Sequence, residues 1–396
     1  MLLAALFALH QGNGDDFTAA WAGVEATIRD EYYAREDRRS EMEGLLARYA
    51  PLARAAPTRA DFAGTVNRMA AEFRDSHFEF DTDADQAYYL ADGLVSKEGA
   101  PMPQIGAWFR AAPDGGWTLR MLLDGGAAAK AGLREGDVIR TIEGAPFTPI
   151  ASLAPFVGRV ARIGYVRDGV AGEALVKVTR TPGLRMFLDA TMASRHTIAR
   201  GEKRFAVVRV WTFGNETFAH VLRETIFRAK SMDGLIVDLR GGFGGYVEPF
   251  LNPLVAYRRP LALIVDGGSR SAKEVVSYAL QSTGRARIVG ARTAGHVLGT
   301  FPHRINAWSY LEIPEMDLRI NGARLEGRGV IPDVPVASGG DAVARAADVL
   351  AHPASAPPPP VAKPGGAIRI VPLWPGKAPR TTPLPATPLP AKPPTG

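Results

Sequence analysis

Apolar residues recur at three- and four-residue spacing through "DDFTAAWAGVEATIRDEYYA", "SEMEGLLARYAPLARAA" and "TRADFAGTVNRMAAEF", which predicts three amphipathic helices between Asp15 and about Ala71. Thr58 and Asp61 mark the start of the third, and Pro51 and Pro57 punctuate the earlier ones. At "RDSHFEF" the period shifts toward two, with Phe78 and Phe80 alternating with polar residues, so a helical domain is expected over 15–80 and a linker over 81–102. Residues 103–182 read as a β-rich unit. Short strand-like runs flank the turn signal "PDGG", then come a small-residue helix stopped by Gly132 and strands at "VIRTIEG", "ARIGYVRDG" and "EALVKVTRT". From 183 to 345 the strands "RFAVVRVWTF", "DGLIVDLRG", "RPLALIVDGG" and "ARIVGAR" alternate with helices at "ETFAHVLRETIFRAK" and "AKEVVSYALQS". That alternation predicts a mainly parallel sheet covered on both faces, with function at the loops after strand C-termini, here "DLRGGFGGY" and "GGSRSAKE". The last segment, 346–396, is expected to be a disordered Pro-rich tail, since 15 of the 31 prolines fall after His352; "AIRIVPLW" is the one run in it that is a candidate for docking.

Composition narrows the classes. A chain of 396 residues, 46% hydrophobic, is long enough for two or three cores. Of the net charge of +6, five charges come from Lys363, Arg369, Lys377, Arg380 and Lys392 in residues 353–396, which hold no acid. The body is therefore nearly neutral, and nucleic acid is not an expected partner. The absence of cysteine excludes disulfides, thiolate metal sites and a cysteine nucleophile. No HExxH or paired-carboxylate pattern suggests a metal, and no cofactor is expected. Residues 1–14, "MLLAALFALHQGNG", hold an apolar run of the length of a signal core, so export to a periplasm or cell envelope is the expectation and a cytoplasmic location the alternative. No stretch reaches the ~20 apolar residues of a membrane span.

Ser271 follows "DGGSR" at the end of an apolar strand and opens a helix. There a hydroxyl faces the sheet edge while helix N–H groups point at whatever lies beside it, which is how a nucleophile and half an oxyanion hole arise together. Serine at a helix start is also an ordinary N-cap, so the residue alone leaves both readings open.

Its company separates them. "AAKAGLREGDVI" resembles the bacterial type of PDZ domain, which binds an extended polypeptide end by strand addition. Behind it, "DGLIVDLRGGFGGY", "SRSAKEVVSYALQSTGRARIVGARTAG" and "LEGRGVIPDVPV" resemble, in this order, the C-terminal processing (tail-specific) serine peptidases. The resemblance implies a multi-domain α/β fold: a helical domain, a PDZ-like domain and a catalytic domain of the ClpP/crotonase-like type. It implies Ser271 as nucleophile, three residues before Glu274, with an oxyanion hole from the Ala272 amide and that of Gly244 or Gly245. The base departs from the lysine-dyad branch. "TAGHV" has His296 where that branch carries lysine, 25 residues after the serine. Lys273, two residues from Ser271 on the same helix, reads as a solvated charge. A second branch, resembling the catalytic core of tricorn protease, takes a histidine that follows a serine in the helical domain and a glutamate near "GVxPD". That implies His77 as base, Ser76 and Glu326 as its orienters, and His296 as the less favoured base. The family's asparagine in the glycine loop is missing, with Gly242 in its place.

The expectation is a serine endopeptidase that takes a polypeptide by its C-terminus and cleaves through an acyl-enzyme. The alternative is a binding protein that keeps the fold without catalysis. An esterase is disfavoured because no G-x-S-x-G surrounds Ser271. Neither substrate nor oligomeric state follows from the sequence.

Overall fold

The computed structural model describes residues 15–96, 99–352 and 368–372. The apolar start, on which export rests, lies outside the described residues. The chain forms two compact units, one of residues 1–83 with 300–315 and the other of 84–299 with 316–396.

The first unit contains α1 (Phe17–Glu31), α2 (Arg39–Arg54) and α3 (Arg59–Phe73), then β1 (Glu79–Thr82). Asp16 caps α1 by accepting the Ala19 N–H, and the Thr58 hydroxyl caps α3 by accepting that of Asp61. Trp21, Val24, Ile28, Leu46, Phe62, Val66 and Met69 are fully buried or nearly so, which are the apolar positions of the three helical repeats.

The second unit opens with α4 (Gln86–Val95), inside what the sequence presents as linker. The β-rich part follows: β2 (Pro101–Gln104), β3 (Ala107–Ala111), β4 (Trp117–Leu122), α5 (Ala127–Lys130), β5 (Val138–Ile142), β6 (Ala145–Pro146), β7 (Val160–Arg167), β8 (Val170–Lys177) and β9 (Thr179–Pro182). Its sheet runs β3-β4-β5-β7-β8 around a core of its own, including Ile105, Leu119, Ile139, Ile163 and Val176. β2 pairs with β9, so entry and exit of this part lie side by side.

The α/β part contains α6 (Gly183–Ala193), β10 (His196–Arg200), β11 (Lys203–Arg209), β12 (Thr212–Phe213), α7 (Glu216–Ala229), β13 (Gly234–Asp238), β14 (Phe243–Gly245), α8 (Glu248–Ala256), β15 (Leu261–Val265), α9 (Ala272–Ser282) and β16 (Arg287–Gly290). β17 (Gly299–Asn306) and β18 (Ser309–Met316) make a hairpin whose strands join β1, so this excursion from the second unit completes the first. The chain then forms β19 (Leu318–Ile320), β20 (Val334–Pro335), α10 (Ala342–Ala351) and β21 (Ile370–Pro372). The main sheet runs β10-β11-β13-β15-β16-β20. It is parallel except for β10, and the runs Gly234–Asp238 and Leu261–Val265 are buried throughout, as strands covered on both faces must be.

Two boundaries need correction. A catalytic domain ending at 345 would cut α10, whose Ala346, Ala347 and Leu350 pack in the core under the sheet. Nor is the tail without structure: β21 pairs with β19, Asn321 and Arg369 exchange hydrogen bonds, and Ile368 and Ile370 pack on the main core.

Candidate active site

β15 ends at Val265, and Asp266 organises the turn behind it. Its Oδ1 accepts the N–H groups of Gly241 and Gly268, both at 2.9 Å. The turn delivers Ser271 to the start of α9 with φ 57°, ψ −132°, a left-handed value costly for any residue but glycine. Two contacts hold it there: the Ser271 N–H donates to the His296 carbonyl at 2.7 Å and to Glu274 Oε2 at 3.2 Å. Ala272 opens α9, so its N–H lies in the first turn, where no intrahelical acceptor exists.

The glycine loop lies against this point. A Cβ on Gly244 would stand 2.4 Å from Ser271 Cβ, 2.6 Å from its Oγ and 2.9 Å from the Ala272 nitrogen, so only glycine fits. Gly245 adopts φ 132°, and a Cβ there would meet the Phe213 carbonyl at 2.2 Å. Ser271, Ala272, Gly244 and Gly245 are thus brought together.

Glu274 ties the next loop to this one. Wholly buried, it accepts Thr293 Oγ1 at 2.5 Å, the Gly295 N–H at 2.8 Å and the His296 N–H at 3.0 Å. Burial pushes its carboxyl up to about 7 even though all these donors favour the charged form. Glu326 Oε2 accepts the Val297 N–H at 2.6 Å and that of Leu298 at 3.2 Å. His296 is an exposed residue that serves the site through its backbone, by the bonds to Ser271 and Glu274.

Lys273 corrects the sequence reading. Instead of a solvated charge it is completely buried, and its Nζ donates to the Trp211 carbonyl at 3.0 Å and the Gly241 carbonyl at 2.8 Å. Burial, with Arg209 nearby, pushes its pKa down to about 7. This also accounts for the missing asparagine. Gly242 has φ 67°, and a Cβ there would lie 1.9 Å from the Trp211 carbonyl oxygen and 2.9 Å from Lys273 Nζ. The Trp211 carbonyl, with the Lys273 nitrogen bonded to it, fills the space that a side chain at 242 would need. The signal in the sequence was the pair itself, a glycine in the loop together with a lysine on the apolar face of α9. The β-rich part reaches the same loop: Met121 Sδ accepts the Gly242 N–H at 3.1 Å, and Asp124 Oδ2 accepts the Trp211 indole N–H at 2.9 Å.

In the first unit, α3 ends at Arg74 in the left-handed region, and His77 takes φ 59°. Ser76 Oγ lies 3.0 Å from His77 Nδ1. The preceding Asp75 is anchored by three donors, the hydroxyls of Tyr32 and Tyr33 and Arg38 Nη1, so the turn that carries Ser76 and His77 is fixed from one side. Sequence reasoning missed this anchor, because Tyr32, Tyr33 and Arg38 are some forty residues from Asp75. Among the described residues no cluster of His, Asp and Glu could hold a metal ion, and no helix is long and apolar enough to cross a membrane.

Comparison with known proteins gives this arrangement a family. Residues 251–336, which carry Ser271, Glu274, His296 and Glu326, match peptidase family S41. Tricorn protease homolog 1 of Streptomyces coelicolor is 23% identical over 350 residues, 78% of this chain and 32% of that protein. The carboxy-terminal processing protease CtpB of Bacillus subtilis is 25% identical over 207 residues, 42% of this chain and 41% of that protein. The chain thus spans about a third of the tricorn relative's length and under half of the Bacillus protein's. The solved photosystem II D1 C-terminal processing protease has a similar fold, with a TM-score of 0.52 and 18% identity over 82% of this chain and 94% of that one. Residues 251–336, where a strained serine at a helix start is pressed against a glycine loop, are thus a peptidase family S41 domain, and the chain is homologous to tricorn and carboxy-terminal processing proteases.

Proposed function

We propose that this chain is a serine endopeptidase that cleaves polypeptides near their C-terminus by an acyl-enzyme route. The observation that carries the proposal is the fit of Gly244 against Ser271 and the Ala272 nitrogen, so close that no side chain is possible at 244 and the glycine backbone lies beside the hydroxyl. On this reading Ser271 attacks the scissile carbonyl, and the amides of Ala272 and of Gly244 or Gly245 hold the oxyanion. His77 takes the proton, and Ser76, 3.0 Å from Nδ1, holds the tautomer in which Nε2 is the accepting nitrogen. Glu326 is assigned the second orienting role. Residues 103–182 act as a PDZ-like capture domain, and the apolar start directs export; each of these is part of the proposal.

The test is proteolysis of an unfolded protein substrate with mass-spectrometric mapping of the products. Wild-type protein should release C-terminal fragments, Ser271→Ala should release none while remaining folded, and EDTA should leave the wild-type rate unchanged. Full cleavage by Ser271→Ala would end the proposal, and zinc-rescued loss in EDTA would replace it with a metal mechanism.

A further inference from the structure

β3 is the outermost strand of the β-rich sheet. β4 pairs with one edge, and among the described residues no strand pairs with the other. That second edge is nonetheless occupied. Gln86, the first residue of α4, is buried, and its carboxamide meets the edge twice: Nε2 donates to the Ala107 carbonyl at 3.0 Å, and Oε1 accepts the Phe109 N–H at 2.9 Å. These are backbone groups two residues apart, facing away from β4, from which an added strand would take its hydrogen bonds. A carboxamide offers the same donor and acceptor as a peptide unit.

The loop just before β3 is satisfied in the same manner. Gln104, also buried, accepts the Gly106 N–H with its own Oε1, while its Nε2 donates to Thr179 Oγ1 at 2.6 Å. Free N–H groups in such a loop are where a terminal carboxylate is captured. Two glutamine side chains therefore engage, within one short stretch, the groups that the backbone and the end of an extended polypeptide would engage.

We infer that Gln86 is a built-in plug on a peptide-accepting edge: the polypeptide end binds β3 only when the Gln86 carboxamide swings away. The inference rests on the reading of 103–182 as a capture domain. It gives the short α4 a function beyond linking, since its first residue must release the edge before a substrate docks.

The experiment uses the full chain carrying Ser271→Ala, to prevent cleavage, and a fluorescein-labelled octapeptide of alternating Thr and Val with a free C-terminal carboxylate. Binding is read by fluorescence polarisation, and protection of the Phe109 amide by hydrogen–deuterium exchange. With the two competing hydrogen bonds removed, Gln86→Ala should bind the peptide about tenfold tighter or more, and its Phe109 amide should lose protection in the absence of peptide. Gln86→Glu keeps the volume and the acceptor but cannot donate to the Ala107 carbonyl; it should fall between, and it carries the test if the alanine loosens α4. Equal or weaker binding in both variants, with the Phe109 amide exposed, overturns the plug. Absence of peptide binding in every variant despite an exposed Phe109 amide overturns capture at this edge altogether, and leaves the Ser271 chemistry to its own test.

Discussion

At the residue scale, several of the candidate groups are held in costly states. Ser271 and His77 both take positive φ, and Glu274 and Lys273 are ionisable groups buried side by side in sequence. Glu274 gives a pH signature. Its pKa is about 7 in the folded chain against an ordinary 4.5, so its contribution is fully present below 4.5 and is lost as pH rises through 7. The difference corresponds to at most about 3 kcal/mol. In urea melts, wild-type protein should lose stability between pH 4.5 and 7 relative to Glu274→Gln, whose curve should be flatter there; parallel curves would remove the buried-carboxyl argument. Lys273→Met should act on the loop rather than on substrate capture, lowering kcat by roughly ten- to a hundredfold with KM little changed, as loss of a group needed in the transition state does. A rise in KM alone would assign Lys273 to binding. The sequence singled out Ser271, His77 and Glu326 as candidates through motif and order. It could not show Lys273 as buried, because burial there depends on the carbonyls of Trp211 and Gly241, which approach from the segments after β11 and β13.

At the element scale, strong local patterns were legible and long-range partnerships were not. The three N-terminal helices, the buried strands Gly234–Asp238 and Leu261–Val265, and α9 lie where their periodicity places them. α4 was hidden in a segment read as linker. The hairpin of β17 and β18 gave no sign that it pairs with β1, some 230 residues earlier, since the match of Glu79 with Glu312 and Thr82 with Ser309 is a register set in space. β21 falls within "AIRIVPLW", the run of the tail singled out as a candidate for docking, but nothing in the sequence pointed to β19 as its partner. Its pairing changes what truncation should do: removing everything after His352 exposes the face covered by Ile368 and Ile370 and breaks the ladder to β19. A loss of about 1–2 kcal/mol follows from half-burial of two isoleucines and a short ladder. That is a fall of several degrees in Tm, checked by calorimetry. An unchanged Tm would mean that β21 contributes nothing to folding.

At the scale of the whole molecule, the proposed catalytic set is divided by the chain's own architecture. Ser76 and His77 belong to one compact unit, and Ser271, Glu274 and Glu326 to the other. The central claim is that Ser271 is an activated nucleophile whose base is His77. Covalent labelling by a fluorophosphonate requires an activated serine, and its rate reports the base. Wild-type protein should be labelled on Ser271, with Ser271→Ala unlabelled, His77→Ala slower by roughly 10³-fold as for loss of a triad base, and His296→Ala close to wild type. Labelling of His77→Ala at the wild-type rate, with His296→Ala inert, would contradict the account and move the base to the loop beside the nucleophile.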